Sequence, residues 1–342
     1  MGYSNFKDPI GLLKRMLLSG NKVAYSVLVR EFLSKLLIPV DFVLRPTERR
    51  ILKSEKKKLK RPMILILGGS RSGTTLLYQT LVRYLDVSYV SNFISAFASS
   101  PISAYSLFKN IIPKAGKSFQ NYYGSVAGLG GPNDAFVIWN RWLGEDRNRI
   151  PNRIEATSKR DMKNFFQTWF AVSKKPFINK NNRNSLCAPL FAEVFDNVVF
   201  VEIHRNPIYV AQSLVLSRRM VQGSDKVGWG VLGSDSQTND DSLHYIDEIC
   251  EQVYTVDQII AKGREKIKSE DYIRISYEEF CRNPDGLVRA VGSRTKTAIK
   301  NPEHLKRHLF SSSSNQQRLT DREFNRICEC IDKLYKNDFQ GV

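Results

Sequence analysis

The sequence predicts an α/β fold: a P-loop-like parallel β-sheet flanked by helices, preceded by an N-terminal helical extension. Three observations predict it. Residues 64–67 are an apolar run of strand length. They meet Gly68-Gly69-Ser70-Arg71-Ser72-Gly73-Thr74-Thr75 and then a helix-like pattern from residue 74 to about 85. A second apolar strand, residues 198–203, runs into His204-Arg205-Asn206-Pro207 and a helix over 208–220. Between them, residues 176–181 read as a strand and about 185–195 as a helix. Strand, helix, strand implies a right-handed parallel crossover.

The first loop carries the chemistry. Strand, Gly-rich turn and helix form a phosphate cradle, because successive backbone N–H groups and the helix N-terminus point at one anion. Glycine permits turns and approaches that a Cβ would block. Gly68 and Gly73 have the spacing of G-x-x-x-x-G-K-[ST], but Thr74 stands where the lysine belongs, and Arg71 is the loop's cation. A kinase or ATPase needs that lysine and a Mg²⁺-holding hydroxyl. The loop suits a different phosphorylated donor, and the bland alternative is a tight turn without a ligand.

The chain has 342 residues, enough for a large core, and is globular in composition at 42% hydrophobic and 25% charged. Its formal charge of +18 suits anionic ligands or a membrane face. No nucleic-acid motif accompanies the charge, so no nucleic-acid partner is expected. The histidines, His204, His244, His304 and His308, form no evident metal constellation, and no metal is expected. Five cysteines without metal or redox spacing read as free thiols in a reducing compartment, hence a cytoplasmic setting.

Residues 1–60 read as the helical extension and a basic linker, and residues 61–342 as the α/β domain. Ile10, Leu12, Leu13, Met16 and Leu17 share one helical face, and residues 23–44 continue the pattern with a break at Pro39. The favoured role is a helical cap on the main domain. Peripheral membrane contact through these basic helices is the alternative. The run from 53 to 61 reads as a solvated linker.

After the loop helix, residues 87–90 read as a short strand. Residues 93–133 are irregular and rich in Ser, Gly, Tyr and Phe, which suits an acceptor-side loop. Gly130-Gly131-Pro132-Asn133-Asp134 leads into an aromatic helix at 136–142, which Asp134 would cap in the plainest reading. Residues 159–173 form an amphipathic helix with Phe165, Phe166, Trp169 and Phe170 facing the core.

Gly-x-x-Arg-Ser-Gly-Thr-Thr resembles the 5′-phosphosulfate loop of sulfotransferases that use 3′-phosphoadenosine 5′-phosphosulfate (PAPS), closer to the carbohydrate and tyrosyl-protein branch than to the cytosolic one. The second half of the resemblance is Arg205 at a strand end with Ser213 two turns down the next helix. In that family such a pair holds the donor's 3′-phosphate, which suits the planar fork of Arg. Tyr272-Ile273-Arg274-Ile275-Ser276-Tyr277-Glu278 resembles the late strand whose Tyr, here Tyr277, lies near the adenine. Lys180 matches a strand-end lysine that assists transfer. A serine-rich stretch at 311–319 resembles a late loop that closes over the donor.

The resemblance implies PAPS as donor, 3′-phosphoadenosine 5′-phosphate (PAP) as product, and a hydroxyl acceptor of a carbohydrate or glycolipid. Ser70, Arg71, Ser72, Gly73, Thr74 and Thr75 would hold the 5′-phosphate, with Arg71 and Lys180 meeting the charge that builds during transfer. One departure matters. The tyrosyl-protein branch has a glutamate base just after its second strand, and here Asn92 stands there. Asp134 is the candidate base, with Glu193 and Glu202 as weaker alternatives. A divergent P-loop kinase and an inactive basic anion-binding protein are the rival readings.

Overall fold

The computed structural model describes residues 7–54, 61–113, 115, 119–236, 243–305, 310 and 315–336. Most of the basic linker, His308 and residues 311–314 lie outside the described residues. Three helices come first: α1 (Pro9–Leu18), α2 (Lys22–Leu36) and α3 (Ile38–Lys53). Asn21 caps α2, its Oδ1 accepting from the N–H groups of Val23 and Ala24. Pro39 does not break a helix but opens α3, at a position where no N–H is needed.

Then follow β1 (Met63–Leu67), α4 (Thr74–Tyr84), α5 (Pro101–Phe108), the small hairpin β2 (Asn121–Tyr122) and β3 (Ser125–Val126), α6 (Phe136–Leu143), α7 (Ala156–Ser173) and β4 (Phe177–Lys180). The expected single helix after β4 is divided into α8 (Asn182–Leu186) and α9 (Ala188–Val194). The chain continues through β5 (Val198–His204), α10 (Pro207–Gln222), α11 (His244–Arg264), β6 (Tyr272–Ser276), α12 (Tyr277–Arg282), α13 (Pro284–Thr295), α14 (Pro302–Leu305) and α15 (Asp321–Lys336).

The main sheet has the order β4-β1-β5-β6 and is parallel throughout. The β4–β5 crossover therefore spans β1, which lies between them. Every residue of β1 is buried, as a parallel strand covered on both faces must be. Met63, Leu65 and Leu67 pack with Trp139, Phe166 and Phe191 of the flanking helices. Ile64 and Ile66 face the other way, onto Leu77, Leu81 and Phe280.

Residues 87–90 do not form the expected strand. Ser88 alone pairs with β4: its N–H donates to Pro176 O at 2.7 Å, and its O accepts from Ile178 N at 2.9 Å. Beyond it the backbone pairs elsewhere. Val90 O accepts from Asn133 N, and Asn92 N donates to Gly131 O. The 130–134 turn thus captures the polar groups that would have extended the ladder.

The N-terminal helices pack on the α/β domain. Arg15 donates to Met220 O and Val221 O at the end of α10. Two buried carboxylates of α3 reach the start of α5. Asp41 accepts from Ser99 N and Ser100 Oγ, and Glu48 accepts from Ile102 N at 3.2 Å and Ser103 N at 2.7 Å. Burial raises the pKa of Glu48, while the bonds from Ser103 and Ile102 act in the opposite direction. Without that carboxylate, two N–H groups of the first turn of α5 lose their partners in a dry site. Glu48→Ala is therefore expected to cost about 1–3 kcal/mol, seen as a lower midpoint in urea denaturation. An unchanged midpoint would mean that water replaces the carboxylate freely.

Candidate active site

Loop 68–73 is shaped by what it must pass. Gly68 has φ +149° and Gly73 φ +102°. A Cβ on Gly68 would sit 2.6 Å from Ile203 O, and one on Gly73 would sit 2.5 Å from the Tyr277 ring. Ser185 of α8 fixes the loop's base, accepting from Gly68 N at 2.9 Å and donating to Gly68 O at 3.1 Å. Among the described residues, no side chain caps the N-terminus of α4, which opens at the loop's end with Thr74. Its first N–H groups are thus left for an anion.

The two halves of the expected donor site meet. Arg71 Nε donates to Ser213 Oγ at 3.0 Å, and Arg205 Nη1 donates to Arg71 O at 3.2 Å. Tyr277 lies beneath Arg205, whose guanidinium is 4.7 Å from the ring centroid. Tyr123, on the β2–β3 turn, stacks on Arg71 at 5.4 Å. Burial lowers the pKa of Arg71, and the nearby positive Arg205 lowers it further. Burial does the same to Arg205, with a contribution from Arg318. Guanidiniums held close enough to repel one another favour a phosphate between them.

Ser70, Arg71, Gly73, Thr74, Thr75, Arg205, Ser213 and Tyr277 all line one cavity of about 970 Å³. Ser72 does not. Its hydroxyl donates to Gly69 O at 2.8 Å, and its N–H bonds the same oxygen. Ser72 thus closes the loop's own turn and borders a small space behind the loop.

Lys180 and Asp134 line the same cavity as the donor loop. Lys180 Nζ lies 3.1 and 2.9 Å from the two carboxylate oxygens of Asp134. The lysine side chain is 3% exposed and the aspartate's is 25% exposed. Asp134 caps no helix, because α6 starts from Ala135 with no side-chain cap. The end of β4 holds the turn in place: Asn179 Nδ2 donates to Asn133 O, and Asn181 Nδ2 to Asp134 O. The weaker carboxylate candidates are elsewhere. Glu193 is on the surface with Lys159. Glu202 is buried among Arg264, Arg274 and Tyr272. It borders the small space behind the loop.

Asn92 is 2% exposed and fully engaged. Its Nδ2 donates to Val126 O and Gly128 O, and its Oδ1 accepts from Asn133 Nδ2 and from Arg30 Nη1 of α2. Asn92 is thus a brace that ties the acceptor-side turn to the N-terminal extension.

Several site residues were not singled out individually in the sequence. Asn182 Nδ2 donates to Ser70 Oγ and its Oδ1 accepts from Thr74 Oγ1. Asn315, in the late stretch, accepts from Arg205 Nε at 2.9 Å and Nη2 at 2.6 Å and donates to Glu278. Trp229 lines the cavity with its indole N–H buried and without a hydrogen-bond partner among the described residues. An Asn pair after a strand-end lysine was the only local hint for Asn182; the others come together only through folding. Among the described residues, no cluster of His, Cys, Asp or Glu is placed to hold a metal ion.

Parallel strands ending in a glycine loop, an uncapped helix N-terminus and converging arginines define an α/β protein whose cavity suits a phosphorylated ligand. The Sulfotransferase family model matches residues 62–299, and the chain belongs to that family: it is a sulfotransferase. In fold it is similar to sulfotransferase STF9 from Mycobacterium avium, at 15% identity and TM-score 0.57 over 88% of this chain and 81% of that one. It is also similar to sulfotransferase STF1 from Mycobacterium tuberculosis H37Rv, at 10% identity and TM-score 0.52 over 95% and 91%. Curated protein sequences give no match.

Gly73→Ala forces a methyl group against Tyr277 and a backbone angle that L-residues rarely adopt. The variant is expected to lose donor-nucleotide binding by at least about tenfold while staying folded, as calorimetry beside circular dichroism would read. Unchanged affinity would show that the loop adjusts without cost.

Proposed function

We propose that this sulfotransferase takes its sulfuryl group from PAPS and passes it to an acceptor hydroxyl, with Lys180 and Asp134 at the point of transfer. The observation that carries this reading is the convergence of Arg71, Ser213, Arg205 and the Lys180–Asp134 pair on one cavity. Arg205 and Ser213 hold the 3′-phosphate. The loop backbone, Ser70, Thr74, Thr75 and the start of α4 hold the 5′-phosphate. Arg71 spans the two, since its main chain belongs to the cradle and its side chain reaches Ser213.

The transfer breaks the bond between sulfur and the bridging oxygen of the 5′-phosphate. It forms a bond from sulfur to the acceptor oxygen and releases PAP. The acceptor's proton goes to Asp134. Lys180 holds that carboxylate in place and supplies the positive charge that the departing phosphate needs as its bridging oxygen gains charge. Positioning and electrostatics account for most of the rate, as in phosphoryl transfer. The acceptor is a carbohydrate or glycolipid hydroxyl.

PAP is expected to raise the melting temperature well above the shift given by 5′-AMP, because only PAP engages the Arg205 and Ser213 pair. Bonds to charged groups contribute about 1.5–3 kcal/mol each, so Arg205→Ala should narrow the difference. Equal shifts in the intact protein would remove the 3′-phosphate assignment. Asp134→Asn should leave PAP binding intact and lower turnover at least about a hundredfold. A fully active Asp134→Asn enzyme would exclude Asp134 as the base. Lys180→Ala should lower turnover much more than PAP affinity, which single-turnover rates beside calorimetry would test.

A further inference from the structure

The N-terminal helices carry apolar surface that the α/β domain does not cover. On α2, Tyr25, Val29, Phe32 and Leu36 are 37%, 58%, 63% and 58% exposed. Their spacing of four, three and four residues makes one stripe along the helix. Ile10, Leu13 and Leu17 repeat the pattern on α1, and Val40 and Val43 extend it on α3. A contiguous exposed apolar face of this kind marks an interaction surface. The opposite side of the extension is spent on packing, with Met16, Val23 and Ala24 buried around Tyr122.

The stripe is continuous with the active-site cavity. Leu13 is 45% exposed and Ile38 60% exposed, and both line the cavity wall. Leu12, Met16, Val27 and Leu28 continue that wall inward toward Asn92 and the Lys180–Asp134 pair. Apolar residues of α1 and α2, interleaved with Arg30, Glu31, Ser34 and Lys35, therefore line the cavity between the outer surface and the point of transfer.

Charge selects the occupant. Lys14, Lys22, Lys35, Arg45 and Arg49 are exposed on these helices; the exposed carboxylates Asp8 and Glu31 are paired with Arg15 and Arg30, and the α3 carboxylates Asp41 and Glu48 are turned inward to α5. A second copy of this chain would set like charges against each other, whereas anionic headgroups neutralise them. Basic helices with an exposed apolar face lie in the headgroup region of a bilayer.

We propose that α1, α2 and α3 dock on an anionic lipid bilayer, and that the acceptor hydroxyl belongs to an amphiphile whose apolar part runs along α1 and α2 into that bilayer. The acceptor part rests on the transfer reaction proposed above, and the docking part does not. The full chain is mixed with extruded vesicles of phosphatidylcholine alone, or with about one-third phosphatidylglycerol, and the sedimented fraction is measured. The protein sediments with the anionic vesicles, and added salt releases it. The V29E/F32E variant, changed at two positions that do not line the cavity, binds them at least about tenfold more weakly and keeps the full PAP-induced thermal shift. No sedimentation, or equal sedimentation of the variant, overturns docking. A concentration-dependent dimer that V29E/F32E disperses, without vesicle binding, assigns the face to a second copy and also overturns it.

Calorimetry with hexyl- and octyl-glucoside below their micelle concentrations tests the acceptor class. Two further methylenes in an apolar channel tighten binding roughly tenfold, and Leu13→Glu removes that gain. Affinity independent of chain length overturns the amphiphile. A protein that binds vesicles but shows no PAP shift would sink the transfer reaction and leave docking standing.

Discussion

Two glycines fix the geometry on which the rest depends. Gly68 passes so close to the Ile203 carbonyl, and Gly73 so close to the Tyr277 ring, that neither position has room for a methyl group. These contacts lock the end of β1 against β5 and against the start of α12. The loop is therefore held from both sides, and Ser70, Arg71 and Gly73, with the start of α4, border the cavity in a fixed arrangement. The same closeness brings Arg71 to Ser213 on α10 and lets Arg205 reach Arg71 O. Preorganisation of this kind is what an electrostatic site needs, because donors that are already oriented cost nothing to reorganise when charge moves.

The acceptor side is built on a different principle. Gly131 packs tightly against Ala127 O there, but a set of amides does most of the holding. Asn179 and Asn181 flank Lys180 on the end of β4 and hold the Asn133–Asp134 turn by its carbonyls, while Lys180 takes the Asp134 carboxylate. Asn92 adds four more bonds, one of them from Arg30 on α2. The N-terminal helices are therefore part of the cavity wall. Since α3 is tied to α5 through two buried carboxylates and α1 to α10 through Arg15, that wall is anchored at both ends.

Much of this was legible in the sequence, and for a common reason. The strands β1 and β5, their loops and the helices that follow are local: apolar run, punctuating residues and periodic helix lie within about twenty residues of one another. The spacing of Arg205 and Ser213 also belongs to one strand and one helix. Where a feature needed a partner from far along the chain, the reading failed. Residues 87–90 have strand-like residues, yet pairing with β4 stops at Ser88 and the 130–134 turn takes the Val90 carbonyl. Ser72 is a different case, since its hydroxyl bonds Gly69 O within its own turn and it does not line the cavity.

The sequence by itself determined the α/β class, the glycine loop with Arg71 between β1 and α4, and the strand-end Arg205 with Ser213 on the next helix, because backbone conformation is written in short segments. Only the tertiary structure decided that Asp134 faces Lys180 instead of capping α6, that Asn315 and Asn182 hold the donor-side groups, and that the N-terminal helices line the cavity. Each of these joins residues far apart in the chain. Side-chain charge and amide groups carry no record of their partner until the sheet order β4-β1-β5-β6 has set the ends of the strands side by side.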